Sequence, residues 1–430
     1  MSTLNHNKKS EYRKDDYKKN DNKKIEYSKY NTIENRLNFV KDILRNNKLE
    51  PIVDFDHLET ERFIYPNRFA ESSGNGSSGS NDSTYDIRSA INKRIFNFYN
   101  VINDIGGKLK YIKSGSTGHT FKGIIANNDD NYCTNYAVKV VAYPKKEYYG
   151  DINDTRRPEN AELMMIRLLS YFVIKKQTPH IVLPIGTFYT SITPFVNLID
   201  GEYVNKDNKK YQEFVDRYKK KEYYHNVSIL ISEWANKGDL LDFIRKQHLE
   251  FTTMTWKVFF FQILSVLAVI QSKFPDFRHN DLKANNILVH KIQSSCKKFS
   301  YTICKKKYKV PNISYIIKLW DFDFACIPGI VDNSKVDADW TNQINVRPVR
   351  NRYYDVHYFF NTLIKKGFFP DLVESSNISQ EIKNFLERVL PQKFREGRYV
   401  TKRGRILSNK EYMTPDSILS EDPFFEEFRS

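Results

Sequence analysis

The chain has 430 residues, 40% hydrophobic and 28% charged, the balance of a soluble globular protein with length for one large domain or two modest ones. A net charge of +16 favours contact with polyanions. The excess of Lys, Asn, Ile and Tyr over 16 Gly and 15 Pro also fits an AT-rich genome, so charge alone does not identify a nucleic-acid binder. Cys133, Cys296, Cys304 and Cys326 are too few for a disulfide framework and lack the CxxC and His spacing of a zinc set.

No apolar run approaches the roughly eighteen residues that cross a bilayer, and the opening MSTLNHNKKS has no apolar core of a secretory signal. A cytosolic or nuclear location is expected. Residues 1–34, rich in Lys, Asn, Asp and Tyr, are expected to be a disordered tail, because they bury too little apolar surface to offset ordering entropy. A short helical extension over 35–71 is read from Leu37, Val40 and Leu44, and SSGNGSSGSNDST at 72–84 reads as a flexible linker. Ile91, Ile95, Phe98, Ile102 and Ile105 predict a lead-in helix within 85–108, ended by Gly106-Gly107.

Strands are predicted at Leu109–Ile112, Thr120–Ile125 and Tyr136–Val141. A helix beyond Pro158 carries Leu163, Ile166, Leu169 and Val173 on one face. Further strands at His180–Gly186 and Val227–Ile231 flank a polar insertion. The very apolar stretch Thr252–Phe274 predicts a central helix. This order implies an α+β fold, with a small β-rich lobe followed by a helical one.

Four local patterns carry chemistry. Gly115-Ser116-Thr117-Gly118 lies between two predicted strands, where glycine lets backbone N–H groups approach phosphate, although ordinary hairpins use glycine too. Lys139 sits inside the apolar strand Tyr136–Val141; either a carboxylate such as Glu162 holds it there, or it reaches solvent from an edge strand. In Arg278-His-Asn-Asp-Leu-Lys-Ala-Asn-Asn286, Asp281 can accept a proton from a hydroxyl or orient it. In the same run Lys283 can neutralise a moving phosphoryl group, and Asn286 can offer an oxygen to a metal. Finally, Ile317–Leu319 leads into Asp321, suited to a hard cation such as Mg²⁺.

In this order the patterns resemble the eukaryotic-type protein kinase family, over residues 109–430. The resemblance implies a two-lobed kinase fold that uses ATP with Mg²⁺ or Mn²⁺. It implies Gly115, Ser116, Thr117 and Gly118 over the phosphates, Lys139 on the phosphates and Glu162 paired with Lys139. It also implies Glu233 and Ala235 in the adenine hinge, Asp281 and Lys283 at the acceptor, and Asn286 and Asp321 on metal. Tyr354-Asp355-Val356-His357 resembles the start of the family's buried central helix, and Met413–Phe425 its closing segment.

Asp-Phe-Asp-Phe at 321–324, the Tyr-Tyr-Asp-Val-His-Tyr-Phe-Phe string at 353–360 and the long N-terminal extension resemble the virion-packaged serine/threonine kinases of poxviruses and other large DNA viruses. That likeness implies a serine/threonine kinase in the cytoplasm of an infected cell, packaged in the virion. Its partners would be protein substrates, with acidic segments among them, and its basic tail could contact nucleic acid or anionic surfaces.

The pattern also departs from the family. Lys113 and Thr120 replace a loop glycine and a valine, Asp323 replaces a glycine, and no Ala-Pro-Glu triplet follows Phe324. Asn280 replaces the arginine that grips an activation-loop phosphate, so activation without that phosphate is expected. Arg347, Arg350 and Arg352 either favour acidic substrates or pair with the protein's own carboxylates. Lys297, Lys298, Lys305, Lys306, Lys307 and Lys309 are read as a solvated hairpin. Two rival readings compete with this one. A choline- or aminoglycoside-type kinase is disfavoured by Lys283 and the Tyr-Ala-Val-Lys strand, and a pseudokinase scaffold by the complete set Lys139, Asp281, Asn286 and Asp321.

Overall fold

The structure, a computed structural model, describes residues 32–45, 48–49, 51–53, 87–115, 117–126, 133–293 and 296–430. The tail up to residue 31, the linker at 72–84 and Ser116 lie outside the described residues. The N-terminal helix α1 (Ile33–Arg45) starts just before the boundary expected at 34. It buries Arg36, Phe39, Val40 and Ile43 against the rest of the chain.

The lead-in helix is shorter than the apolar spacing predicts. A 3₁₀ turn covers Ile87–Ile91, and α2 begins only at Phe98 and runs to Ile105. Between them the Phe96 N–H donates to Tyr189 and the Tyr189 N–H to Arg94, so backbone pairing with a sheet edge displaces the helix. Ile95 is consequently exposed, and Asn97 caps α2 by accepting from the Asn100 N–H.

An antiparallel sheet follows in the order β1-β2-β3-β5-β4. Its strands are β1 (Lys108–Ser114), β2 (Gly118–Ala126), β3 (Cys133–Pro144), β4 (Pro184–Ser191) and β5 (Tyr223–Glu233). In β3 the pleat buries Tyr136, Val138, Val140 and Ala142 and turns Ala137, Lys139 and Val141 the other way. Helix α3 (Pro158–Ile174) starts with Pro158 in its first turn and is buried along nearly its whole length. The predicted strand His180–Gly186 is displaced. His180 hydrogen-bonds the Ile317 carbonyl and Ile181 bridges Leu319, so only the part from Pro184 joins the sheet. The polar insertion after β4 contains a helix unforeseen in the sequence, α4 (Lys209–Lys219), capped by Asn208.

Helix α5 (Leu240–Gln247) precedes α6 (Thr253–Lys273), which Thr252 caps. By length and composition α6 could cross a membrane, which corrects the reading that no segment approaches that length. Its apolar run is interrupted by Lys257, Gln262 and Ser265, and it is buried in the protein interior from Trp256 to Gln271. Gln262 ties it to a ribbon of β6 (Ile287–Lys291) and β9 (Tyr315–Leu319), accepting from the Ile317 N–H at 2.8 Å and donating to the Tyr315 carbonyl at 3.0 Å. The lysine-rich insertion does form a hairpin, β7 (Lys298–Ile303) and β8 (Lys306–Pro311). Only one of its faces is solvated: Tyr301 and Tyr308 pack edge-on against Phe261 of α6. Helices α7 (Tyr354–Leu363), α8 (Gln380–Val389) and α9 (Pro415–Glu421) complete the helical part.

Candidate active site

The β6–β9 ribbon sets the site. Ile287 pairs with Leu319, and the Trp320 N–H donates to the Asn286 carbonyl. The loop that ends at Asn286 and the turn that holds Asp321 are thereby fixed side by side. Both turns need left-handed backbone, with φ of 62° at Asn280 and 64° at Asp321, a conformation that Asn and Asp tolerate better than most side chains. The buried Asp355 carboxylate at the start of α7 accepts from the His279 N–H at 2.7 Å and the Asn280 N–H at 2.9 Å, pinning the loop from below.

A cavity of about 880 Å³ is lined by β1–β3, the end of β5 and this ribbon. Gly115, Thr117, Gly118, Lys139, Glu162, Glu233, Ala235, Asn286 and Asp321 all line it. The Gly115 N–H donates to the Gly118 carbonyl at 2.8 Å and closes the β1–β2 turn. At Gly118 a Cβ would stand 1.7 Å from the Val140 carbonyl oxygen, so this position excludes every side chain.

The Lys139 ammonium lies 2.5 Å from Glu162 and 3.3 Å from Asp321, so the lysine is paired rather than reaching solvent from an edge. Burial would lower its pKa, but Glu162 and Asp321 outweigh that and hold it above its ordinary value. Burial raises the Glu162 carboxyl to about 7 against the pull of Lys139, with Asp321 and Asp323 adding to the rise. For Asp321, desolvation is overcome by Lys139, which holds the carboxyl below its usual range.

The Asp281 carboxylate is gripped on both oxygens. One accepts from Lys283 at 2.9 Å and from the Asn286 amide at 3.0 Å; the other accepts from Arg405 at 2.6 Å. Sequence reasoning missed Arg405, which lies 124 positions from Asp281 and in no local motif.

Glu233 departs from the expected hinge role in its side chain. Its carboxylate is buried and contacts Arg36 at 2.5 Å and Lys318 at 2.7 Å, and its backbone N–H donates to the Leu183 carbonyl at 3.1 Å, so its side chain is not available to a ligand. Ala235 lines the cavity as expected. Asp323 pairs with Lys335, whose ammonium also lies over the Phe324 ring at 3.9 Å. In place of the missing triplet, Glu411 takes Arg352 through a bidentate pair at 2.8 and 3.0 Å, with Arg350 at 3.9 Å.

Among the described residues no three His, Cys, Asp or Glu side chains converge as a metal cluster. Asp321 and Asn286 both line the cavity, and a carboxylate and an amide oxygen are donors that suit a hard divalent cation better than a soft one.

A sheet with a buried Lys–Glu pair, facing a loop that holds an aspartate between cations, defines the protein-kinase class. A model of the poxvirus serine/threonine protein kinase family matches residues 149–419, more than half of the chain. A protein of Acanthamoeba polyphaga mimivirus named a putative serine/threonine-protein kinase is 46% identical over 403 residues, covering 92% of this chain and 80% of that protein. Serine/threonine-protein kinase 2 of Swinepox virus is 32% identical over 132 residues, 30% of this chain and 27% of that one. Its Monkeypox virus counterpart is 30% identical over 131 residues, again 30% of this chain and 27% of that one. The chain belongs to the poxvirus serine/threonine protein kinase family, and is a viral-type serine/threonine kinase.

Proposed function

We propose that this chain transfers the γ-phosphoryl group of ATP to serine or threonine hydroxyls of protein substrates. The carrying observation is the Asp281 carboxylate, held 2.9 Å from Lys283 and 3.0 Å from Asn286 beside the cavity that contains the Lys139–Asp321 pair. In this reading Lys139, oriented by Glu162, contacts the nucleotide phosphates, and Gly115, Ser116, Thr117 and Gly118 would cover them. The backbone of Glu233 and Ala235 receives the adenine. Asp281 orients the acceptor hydroxyl and takes its proton, while Lys283 balances charge on the group in transit. Asn286 and Asp321 would hold Mg²⁺ or Mn²⁺, which supplies charge neutralisation on the phosphates when bound.

The five-stranded sheet with α3 would be the small lobe and α5–α9 the larger, within a kinase domain spanning 109–430. The regions 1–34, 35–71, 72–84 and 85–108 would then be a tail, a helical extension, a linker and a lead-in. The family supports an infected-cell setting; cytoplasmic activity, packaging in the virion and contact of the basic tail with polyanions complete the proposal. A preference for acidic substrate segments has lost much of its footing, since Arg352 and Arg350 both turn to Glu411.

The test is phosphorylation of a protein pool with labelled ATP and Mg²⁺, using the intact chain and its Asp281→Asn variant. Phosphoserine and phosphothreonine formed by the first and not the second are expected. Equal labelling by both, or transfer to choline or aminoglycosides instead, overturns the reading.

A further inference from the structure

We infer that Arg405 is a positioning residue for the phosphoryl-transfer step, holding the Asp281 carboxylate in its working orientation from a hairpin far along the chain. The inference rests on the function proposed above. Arg405 lies in the turn between α8 and α9, where Val400 bridges Ile406, the Thr401 N–H donates to the Arg405 carbonyl and the Gly404 N–H to the Thr401 carbonyl. This small hairpin leaves Lys402 and Arg403 exposed at its tip and turns Arg405 inward, where it is only 5% exposed.

The guanidinium has several partners, all on the catalytic loop or on α7. It donates to Asp281 at 2.6 Å, to the Asn280 carbonyl and to the Tyr354 hydroxyl at 3.2 Å, and it stacks 4.0 Å from the Tyr358 ring centre. Burying a guanidinium is costly unless its donors are satisfied, and here they are satisfied largely by the loop that carries the proposed base. The geometry also divides the carboxylate. Lys283 and Asn286 occupy one oxygen and Arg405 the other, so the three donors together fix its rotation. Without Arg405 the carboxylate keeps Lys283 and Asn286 on one oxygen but loses the guanidinium from the other, so its rotation about the Cβ–Cγ bond is less constrained. Misplacement of the base by even about an ångström is enough to cost on the order of a hundredfold in rate.

Asn280 itself brings no charge to the loop. The Asn280 side chain donates to the Phe324 carbonyl at 3.0 Å, so that position is spent on holding the following segment. Arg405 instead fastens the 397–407 turn, the catalytic loop and α7 at a single point.

The experiment compares the full chain with Arg405→Ala, Arg405→Lys and Asp281→Asn, measuring kcat, the KM for ATP, the KM for a protein substrate and thermal unfolding. For Arg405→Ala the expected result is a fall in kcat of about tenfold or more, with the KM for ATP within about twofold. Millimolar guanidinium should restore part of that kcat, and Arg405→Lys should lie between alanine and the wild type. A purely structural role predicts a lowered unfolding temperature, activity lost in proportion to folded protein, and no rescue. That result, or an unchanged kcat in a folded Arg405→Ala variant, overturns the inference. The Asp281→Asn control separates the two claims: if it stays active the proposed function fails, whereas if it is dead while Arg405→Ala is fully active only this inference fails.

Discussion

The Arg36 guanidinium of α1 meets the Glu233 carboxylate at the end of β5 at 2.5 Å, and Lys318 of β9 closes on the other oxygen at 2.7 Å. Arg36 also donates to the carbonyls of Pro179 and Ile181, so it joins three segments behind the cavity. A helix outside the family-matched region is thus wired to the strand end that forms the cavity wall. Removing Arg36 leaves Lys318 as the one cation on the buried carboxylate, and takes the guanidinium donors away from Glu233 and from the carbonyls of Pro179 and Ile181.

Burial pushes the Glu233 carboxyl up, but Arg36 and Lys318 outweigh it and bring it down to about 2. A carboxyl with a depressed folded pKa adds stability that is complete above its unfolded value near 4.5 and is lost as pH falls toward 2. Arg36→Met, which removes four hydrogen bonds from a charged donor, should therefore lower stability at neutral pH by about 3 kcal/mol and move the acid-unfolding midpoint upward. Circular dichroism followed from pH 7 to pH 2 measures both. An unchanged midpoint would show that the pair contributes nothing.

Lys139→Met and Asp321→Asn should each abolish transfer while leaving the fold intact. Positioning and charge neutralisation supply most of phosphoryl-transfer catalysis, so each loss is expected to cost on the order of a thousandfold, about 4 kcal/mol. Initial rates with labelled ATP, beside matched unfolding curves, test this. More than about a tenth of wild-type activity in either variant would remove that residue from the mechanism.

Much of this site was legible because its parts are local. Lys139 stands as the one charge in an apolar strand, and Asp281, Lys283 and Asn286 fall within a short stretch of chain whose spacing suits one task. The helices α3 and α6 announced themselves by apolar content, and α6 begins one residue inside the stretch read from Thr252. What escaped was long-range. Arg36 acts on a residue 197 positions away and Arg405 on one 124 away, and no local pattern signals either. The strand shift at His180 and the broken lead-in helix share one cause. Apolar spacing gives a preference for burial, but the pairing partner, β9 or β4, decides which backbone geometry delivers it.

Activation should not require a phosphate on the segment after Asp321. Thr341 is fully buried, and its hydroxyl donates to the Val336 carbonyl at 3.0 Å, so a kinase could reach it only after the segment opens. The segment is already ordered by Lys335 on Asp323 and by Asn333, whose amide donates to the carbonyls of Asp323 and Ala325. A Ser334→Ala/Thr341→Val double variant and phosphatase-treated enzyme should both keep initial rates within about threefold of wild type, a barrier change under ~0.7 kcal/mol. A drop of tenfold or more in either would show that a phosphate is needed.

The Arg352–Glu411 pair should behave as a structural fastening and not as a substrate reader. Arg352 donates to Glu411 from its side chain at 2.8, 3.0 and 3.2 Å and from its backbone N–H at 2.9 Å, so one carboxylate receives four bonds from a single residue. Those bonds hold the Glu411 carboxyl below its ordinary range, with Arg352 as the main cause. The pair joins the start of α7 to the chain entering α9, where the family's anchoring triplet is missing, and a guanidinium so engaged has little left for a substrate. Both groups are about a third exposed, with relative side-chain exposures of 32% and 26%, so solvent screening limits the pair to about 1 kcal/mol. A double-mutant cycle with Arg352→Ala and Glu411→Ala should give a coupling energy of about 1 kcal/mol. In a peptide-library assay, neither single variant should change which residues are favoured beside the phosphorylated Ser or Thr. Loss of selection for acidic flanks in Arg352→Ala, without loss of stability, would return this arginine to the substrate groove.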